Sequence, residues 1–135
     1  MKCFTALKVI CTSLLVWFAI ALPASAATRQ VVLLYDERLD FPGLATLDGD
    51  LVRTLTSGSE DTIEIYREAM DLSRFGFGSY KTLLRDHFRA KYANKKIDLA
   101  IAVAGPSLDF LLSYGDEIFP GTRRIQIWRA RPAWS

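Results

Sequence analysis

The chain has 135 residues, of which 50% are hydrophobic and 24% are charged, with a formal net charge of +2, and this length suits a single domain. The net positive charge comes from the two ends, because residues 27–122 carry 11 basic and 15 acidic side chains. An acidic body without a basic stripe argues against nucleic acid as a partner. Both cysteines, Cys3 and Cys11, precede residue 27, which excludes a disulfide framework, a thiolate metal site and a cysteine nucleophile from the body.

Residues 1–26 have the three parts of a secretory signal peptide. A short basic start precedes an apolar run from Val9 to Leu22, and Pro23 and the small residues Ala24-Ser25-Ala26 follow it. The run is shorter than the roughly 20 residues that a spanning helix needs, although an uncleaved anchor is the alternative. The sequence therefore predicts cleavage near Ala26–Ala27, a periplasmic product and no stable membrane anchor after cleavage.

The mature chain is predicted to begin with a strand, a helix and a second strand. Val31 to Tyr35 is a continuous apolar run that ends in charged residues, which is typical of a strand buried on both faces. Leucines recur at spacings of three and four over residues 43–57, which indicates an amphipathic helix. Apolar and polar residues alternate from Thr62 to Tyr66, as in a half-buried strand.

The same alternation continues along the chain. A helical stripe over residues 79–94 precedes a buried strand at 99–104, and a third helix is predicted over 106–118. The tail has weak strand character at 125–128. Strands and helices that alternate with short loops predict an α/β fold, here a three-layer parallel sheet with helices on both faces.

The candidate ligand site lies in the loops that follow the predicted strands, because open parallel sheets bind ligands outside the carboxyl ends of their strands. The first loop begins with Tyr35 and Asp36, and the second runs from Asp71 to Tyr80. The third contains Gly105-Pro106-Ser107, where glycine lets a ligand approach the backbone and the helix start suits a carboxylate or phosphate. The alternative is that the third loop is only a strand-to-helix turn.

No motif in the sequence marks an enzyme, a metal centre or a cofactor site. Asp36 and Glu37 are adjacent carboxylates suited to a cation or to proton transfer, although most charged loop residues are simply solvated. His87 is expected to be packed against the core instead of acting as a ligand, since a lone histidine without cysteine cannot assemble a zinc site. Neither a nucleophile elbow, a P-loop nor a dinucleotide-binding loop occurs. We therefore expect a non-enzymatic protein without metal or cofactor.

Four segments, in this order after a secretory leader, resemble one family: LYDERLDFPGL, IEIYREAMDLSRF, YKTLLRDHFRAKYANKKIDLAIAV and LDFLLSYGDEIFPGT. The family is the periplasmic substrate-binding proteins of ABC transporters with a type I periplasmic-binding fold. The same segment also occurs as the sensory region of some sensor histidine kinases. The resemblance covers residues 28–122 and implies the N-terminal lobe of a two-lobed protein that closes on a small molecule. It implies that Tyr35, Asp36 and Gly105 to Ser107 face the ligand, and that an ABC permease or a sensor kinase is the partner.

The resemblance stops at residue 122. A two-lobed binder needs about 250–300 residues, so residues 27–122 are expected to form one lobe, an incomplete binding domain. Residues 123–135 hold four arginines, two tryptophans and no acid, whereas residues 27–122 hold no tryptophan. This change is typical of out-of-frame sequence, and the alternative is a natural edge strand with a basic tail.

Four functions compete on this sequence. The transporter binding protein ranks first, and the extracellular sensor module is the second binding function. An inactive remnant of a truncated gene is the third. A small periplasmic enzyme ranks last, because neither a nucleophile–base pair nor a cofactor loop is present.

Overall fold

The computed structural model describes residues 26–76 and 78–127. The strands in this part of the chain are β1 (Thr28–Tyr35), β2 (Thr62–Ala69), β3 (Leu99–Val103) and β4 (Arg123–Ile127). The helices are α1 (Pro42–Ser57), α2 (Leu72–Phe75), α3 (Tyr80–Lys91) and α4 (Gly105–Ile118). None of these helices is long and apolar enough to cross a membrane. Nearly all of the predicted signal peptide and residues 128–135 of the tail lie outside the described residues.

The four strands form one sheet in the order β2-β1-β3-β4. Every pair is parallel: β1 pairs with β2 from Thr28↔Thr62 to Tyr35↔Ala69, and with β3 from Val31↔Leu99 to Tyr35↔Val103. The predicted α/β fold with a parallel sheet is therefore confirmed. The chain passes from β1 to β2 on one side of it and then crosses to β3 on the other side of β1. The strand order thus changes direction between β1 and β3, whose carboxyl ends lie side by side because the two strands are parallel neighbours.

The side chains of β1 divide the core into two clusters. Val31 and Leu33 belong to a cluster that contains the leucines of α1. Val32 and Leu34 belong to the other cluster, which contains residues of α3 and α4 such as Phe110. Successive side chains of a strand point to opposite faces of the sheet, so the two clusters lie against opposite faces. This division is consistent with the three-layer arrangement expected from the sequence.

Strand β2 and helix α2 differ from the sequence prediction. Strand β2 continues three residues beyond Tyr66, because its polar residues find partners: Arg67 pairs with Asp48, and Glu68 is held by two side chains near the end of α3. Helix α2 occupies part of the predicted loop from Asp71 to Tyr80. Its contacts with Asp36 join residues 37 positions apart, which local sequence patterns do not reveal.

The first five residues of the arginine-rich segment 123–135 form the edge strand β4. It pairs with β3 from Leu99↔Arg123 to Val103↔Ile127. The Arg124 side chain lies against α4 beside Gly115, since a Cβ added to that glycine would be 3.3 Å from the guanidinium. Arg124 also forms a salt bridge with Asp116 of the same helix. The sheet therefore extends five residues beyond the predicted lobe boundary at residue 122, through the segment with predicted strand character.

Candidate functional site

A cleft of about 760 Å³ opens at the carboxyl edge of the sheet, beside the ends of β1 and β3. The strand order changes direction there, and the crevice at such a switch point is where open α/β sheets bind ligands. The lining comes from the β1–α1 loop, the start of α1 and the ends of β3 and β4. The residues are Asp36, Glu37, Phe41, Gly43, Leu44, Leu47, Val103, Ala104 and Ile127.

Helix α1 and the sheet give the cleft an apolar wall. Leu44 and Leu47, spaced by three, lie on one side of α1, and Val103 and Ile127 end the two neighbouring strands. Phe41 directly precedes α1 and is 54% exposed, so its ring is open to contact. The wall suits the apolar body of a small molecule, since ligand pockets are lined mainly by hydrophobic side chains.

Asp36 is the buried carboxylate of the cleft and is only 6% exposed. Its Oδ1 accepts a hydrogen bond from the Ser73 amide at 2.8 Å, and its Oδ2 accepts one from the Ser73 hydroxyl. The Met70 amide donates to the Tyr35 carbonyl at 2.8 Å, so the chain just before α2 is bound to the end of β1. Within residues 26–76 and 78–127, Asp36 forms no salt bridge.

Tyr35 lies next to Asp36 in the chain but takes no part in lining the cleft. It is fully buried, and its hydroxyl donates to Asp48 Oδ1 of α1 at 2.7 Å. The same carboxylate oxygen accepts a hydrogen bond from Arg67 Nε of β2 at 2.8 Å. Burial raises the pKa of Tyr35, and the hydrogen bond to Asp48 raises it further. Tyr35 therefore links β1 to α1 through this hydrogen bond.

The predicted residues Gly105, Pro106 and Ser107 form the first turn of α4, and the residue that lines the cleft is Ala104 before them. Ala104 has φ 77 and ψ 166, a conformation that is essentially restricted to glycine. A Cβ added at Gly105 would meet nothing within 4 Å, so there is room beside its backbone. Ser107 is fully buried, and its hydroxyl has no hydrogen-bond partner among the described residues. No side chain caps this helix.

The sequence prediction overlaps with the cleft in part. Asp36, among the five predicted site residues, lines it, as does Glu37, which was singled out for its charge. The described part of the loop from Asp71 to Tyr80 contributes no lining residue and instead holds Asp36 in place. The apolar wall was missed, because the leucine stripe of α1 was interpreted only as the sign of an amphipathic helix. Phe41-Pro42-Gly43, at the start of a helix that follows a strand, was the available signal.

The structure corrects the expectation for His87, which is exposed on α3. The neighbouring positions Leu84 and Phe88 face the core, and their packing turns His87 outwards. Its ring lies 5.5 Å from the ring of Phe88. Over the part of the chain that the structure describes, no group of three or more His, Cys, Asp or Glu side chains is placed to hold a metal ion.

Comparisons with protein-family models, with curated proteins and with solved structures find no match for this chain. Its functional interpretation therefore depends on the geometry of the cleft and on the features of its own sequence.

Proposed function

We propose that the mature chain is a periplasmic small-molecule-binding lobe, of the kind that an ABC-transporter substrate-binding protein uses. The observation that carries this proposal is the cleft beside the ends of β1 and β3. Its volume of about 760 Å³ falls within the range of roughly 300–1,000 Å³ typical of small-molecule sites. Its lining also has the expected composition, with an apolar wall and a few polar groups.

The order of the strands supports the same proposal. A doubly wound sheet in the order 2-1-3-4 places its ligand site at the carboxyl ends of the first and third strands. The open position beside Gly105 leaves room for a ligand to approach the backbone at the start of α4. In a two-lobed binder, a second lobe would close over the exposed ring of Phe41. The predicted signal peptide supports a periplasmic location.

Two glycines of α1 provide a matched pair of variants to test the proposal. Gly43 lines the cleft and Gly49 does not, and a Cβ at either position meets nothing within 4 Å. Gly43→Leu places a large side chain on the cleft wall, whereas Gly49→Leu makes the same chemical change elsewhere on the helix. Both should fold, because replacing a helical glycine gains about 0.5–1 kcal/mol of helix propensity.

The experiment is a screen of small molecules by NMR on the chain from Ala27 to Ser135. We expect binders that shift the amide signals of Glu37, Ala104 and Gly105. Gly43→Leu should weaken their binding at least about tenfold, and Gly49→Leu should leave it unchanged. Equal binding to both variants, or an absence of binders at these amides, would count against the cleft as a ligand site.

A further inference from the structure

We infer that the ligand of the cleft is an amphipathic organic cation, with an apolar body joined to a protonated amine. This inference rests on the proposed function and adds the charge of the ligand to it. Two acidic residues, Asp36 and Glu37, belong to the lining, and the lining residues that the structure describes include no lysine or arginine. The cleft is therefore an apolar groove with negative charge and no positive side chain of its own.

Asp36 is the stronger indication of a cation. A buried carboxylate is costly unless it is hydrogen-bonded and paired with a positive charge. Asp36 is only 6% exposed, and its carboxylate accepts two hydrogen bonds from Ser73. Among the described residues no basic side chain comes within salt-bridge distance of it. A cationic ligand in the cleft would place a positive charge close to Asp36.

The basic residues near the cleft have other partners. Arg38 of the same loop pairs with Asp40 at 2.6 Å. Arg67 of β2 pairs with Asp48 at 2.8 Å. The Arg74 guanidinium lies 5.5 Å from the ring centre of Phe75. None of these three arginines forms a salt bridge with Asp36 in the described part of the chain.

Glu37 places a second negative charge beside the first. Its side chain is exposed, and it forms no salt bridge within the described ranges. An exposed carboxylate can be exchanged without disturbing the core, since surface substitutions usually change stability little. Glu37 is therefore the residue at which the charge preference of the cleft can be altered cleanly.

An amine fits the cleft better than a metal ion or an anion does. A hard metal ion such as Ca²⁺ takes six to eight oxygen ligands, whereas most of this lining is apolar. The start of α4 beside Ala104 favours an anion in isolation. Two carboxylates in the same cleft oppose that preference by charge repulsion. A protonated amine is attracted to the carboxylates while its apolar body contacts the wall of α1.

The test compares ligands that share an apolar body and differ in charge. Cyclohexyl, benzyl and branched five-carbon bodies are each used as the amine, the alcohol and the carboxylate, and titrated by NMR into the chain from Ala27 to Ser135. We expect each amine to bind at least about fivefold more tightly than its alcohol, since hydrogen bonds to charged groups exceed neutral ones in strength. The carboxylates should bind more weakly than the alcohols.

Variants of Glu37 sharpen the comparison. Glu37→Gln should reduce the preference for the amine several-fold, and Glu37→Lys should shift the preference towards the carboxylate. Glu60→Gln, which neutralises an exposed carboxylate outside the cleft lining, is the control and should change nothing. Alcohols or carboxylates that bind at the cleft as tightly as amines would overturn this inference and leave the proposed function standing. A failure of every arm, together with an empty small-molecule screen, would overturn the proposed function itself.

Discussion

Ala104 holds φ 77 and ψ 166 at the point where β3 gives way to α4. A residue with a Cβ in this region carries strain of about 1–3 kcal/mol, and a glycine would remove it at an entropic cost of about 0.5–1 kcal/mol. We expect Ala104→Gly to raise the free energy of unfolding by about 1 kcal/mol, as measured by urea denaturation. A loss of stability in this variant would show that the backbone is relaxed as it stands.

Gly105→Ala is the companion variant, and it separates a structural glycine from a ligand-contacting one. The new Cβ has open space, so the free energy of unfolding should be unchanged or higher by about 0.4–1 kcal/mol. Binding of cleft ligands should weaken, because the methyl group occupies the room beside the backbone. Unchanged affinity would place the ligand away from the start of α4.

A site residue could be predicted where its position relative to the end of a strand determines whether it lies at the cleft. Asp36 follows the last residue of β1, and the rule for parallel sheets was enough to place it at the cleft. The orientation of the Tyr35 side chain depends on Asp48 and Arg67, which are 13 and 32 positions further along the chain. No local sequence pattern reveals that contact. The strain at Ala104 was also invisible, since a loop with glycine in it gives no reason to expect a positive φ at the alanine.

Helices α1 and α3 are each tied to a strand through a buried tyrosine. The Tyr35 hydroxyl donates to Asp48 of α1. The hydroxyl of Tyr92, at the end of α3, donates to Glu68 of β2, and Lys91 Nζ lies 2.5 Å from the same carboxylate. Burial is the main cause that raises the pKa of both tyrosines above the ordinary value of 10.0.

These ties predict unfolding at alkaline pH. Below pH 10 both states keep the tyrosine protons, whereas above it the unfolded chain releases them and the folded chain retains them, so the free energy of unfolding falls. We expect circular dichroism at 25 °C to show stability declining from about pH 10 upwards. Tyr35→Phe and Tyr92→Phe should each make this decline shallower. Tyr114→Phe, at a partly buried position on α4, is the control, and equal slopes in all the proteins would contradict the prediction.

Strand β4 gives a second prediction for the elements of the fold. Ending the chain after Thr122 removes the pairing partner of β3 and the contact of Arg124 with α4. It also removes Ile127 from the apolar cluster beside α1. We expect this truncation to lower the Tm by several degrees relative to a chain that ends after Ile127, as measured by differential scanning calorimetry. Equal Tm values would mean that β4 adds nothing to the stability of the sheet.

At this end of the chain, composition and residue alternation describe different lengths of sequence. Four arginines and two tryptophans dominate an average over 13 residues, but a strand needs only about five. The alternation of Ile125, Gln126 and Ile127 was the informative signal at that scale. Elsewhere the periodicity of longer segments predicted the alternation of strands and helices, because burial on a sheet selects apolar residues at fixed spacings.

For the whole molecule, the prediction concerns export. A chain expressed with its native start in a Gram-negative host should be recovered from the periplasmic fraction. N-terminal sequencing of that material should begin at Ala27 or a near neighbour, since small residues precede the predicted cleavage point. Recovery of the chain from the cytoplasm with Met1 intact would contradict a secretory leader. A variant with Leu14 and Leu15 changed to Lys is the control, since charges in the apolar run should block export.

The contact of Asp48 with both Tyr35 and Arg67 has a consequence for the thermodynamics of binding. Asp48 follows Leu47 on α1, so the helix that forms the apolar wall is anchored to β1 and β2 immediately beside the cleft. An anchored wall is preorganised, and little conformational entropy is lost there when a ligand arrives. The cost of ordering then falls on the ligand and on the half-exposed ring of Phe41. Rigid ligands should accordingly gain more affinity from this cleft than flexible ones of equal apolar area.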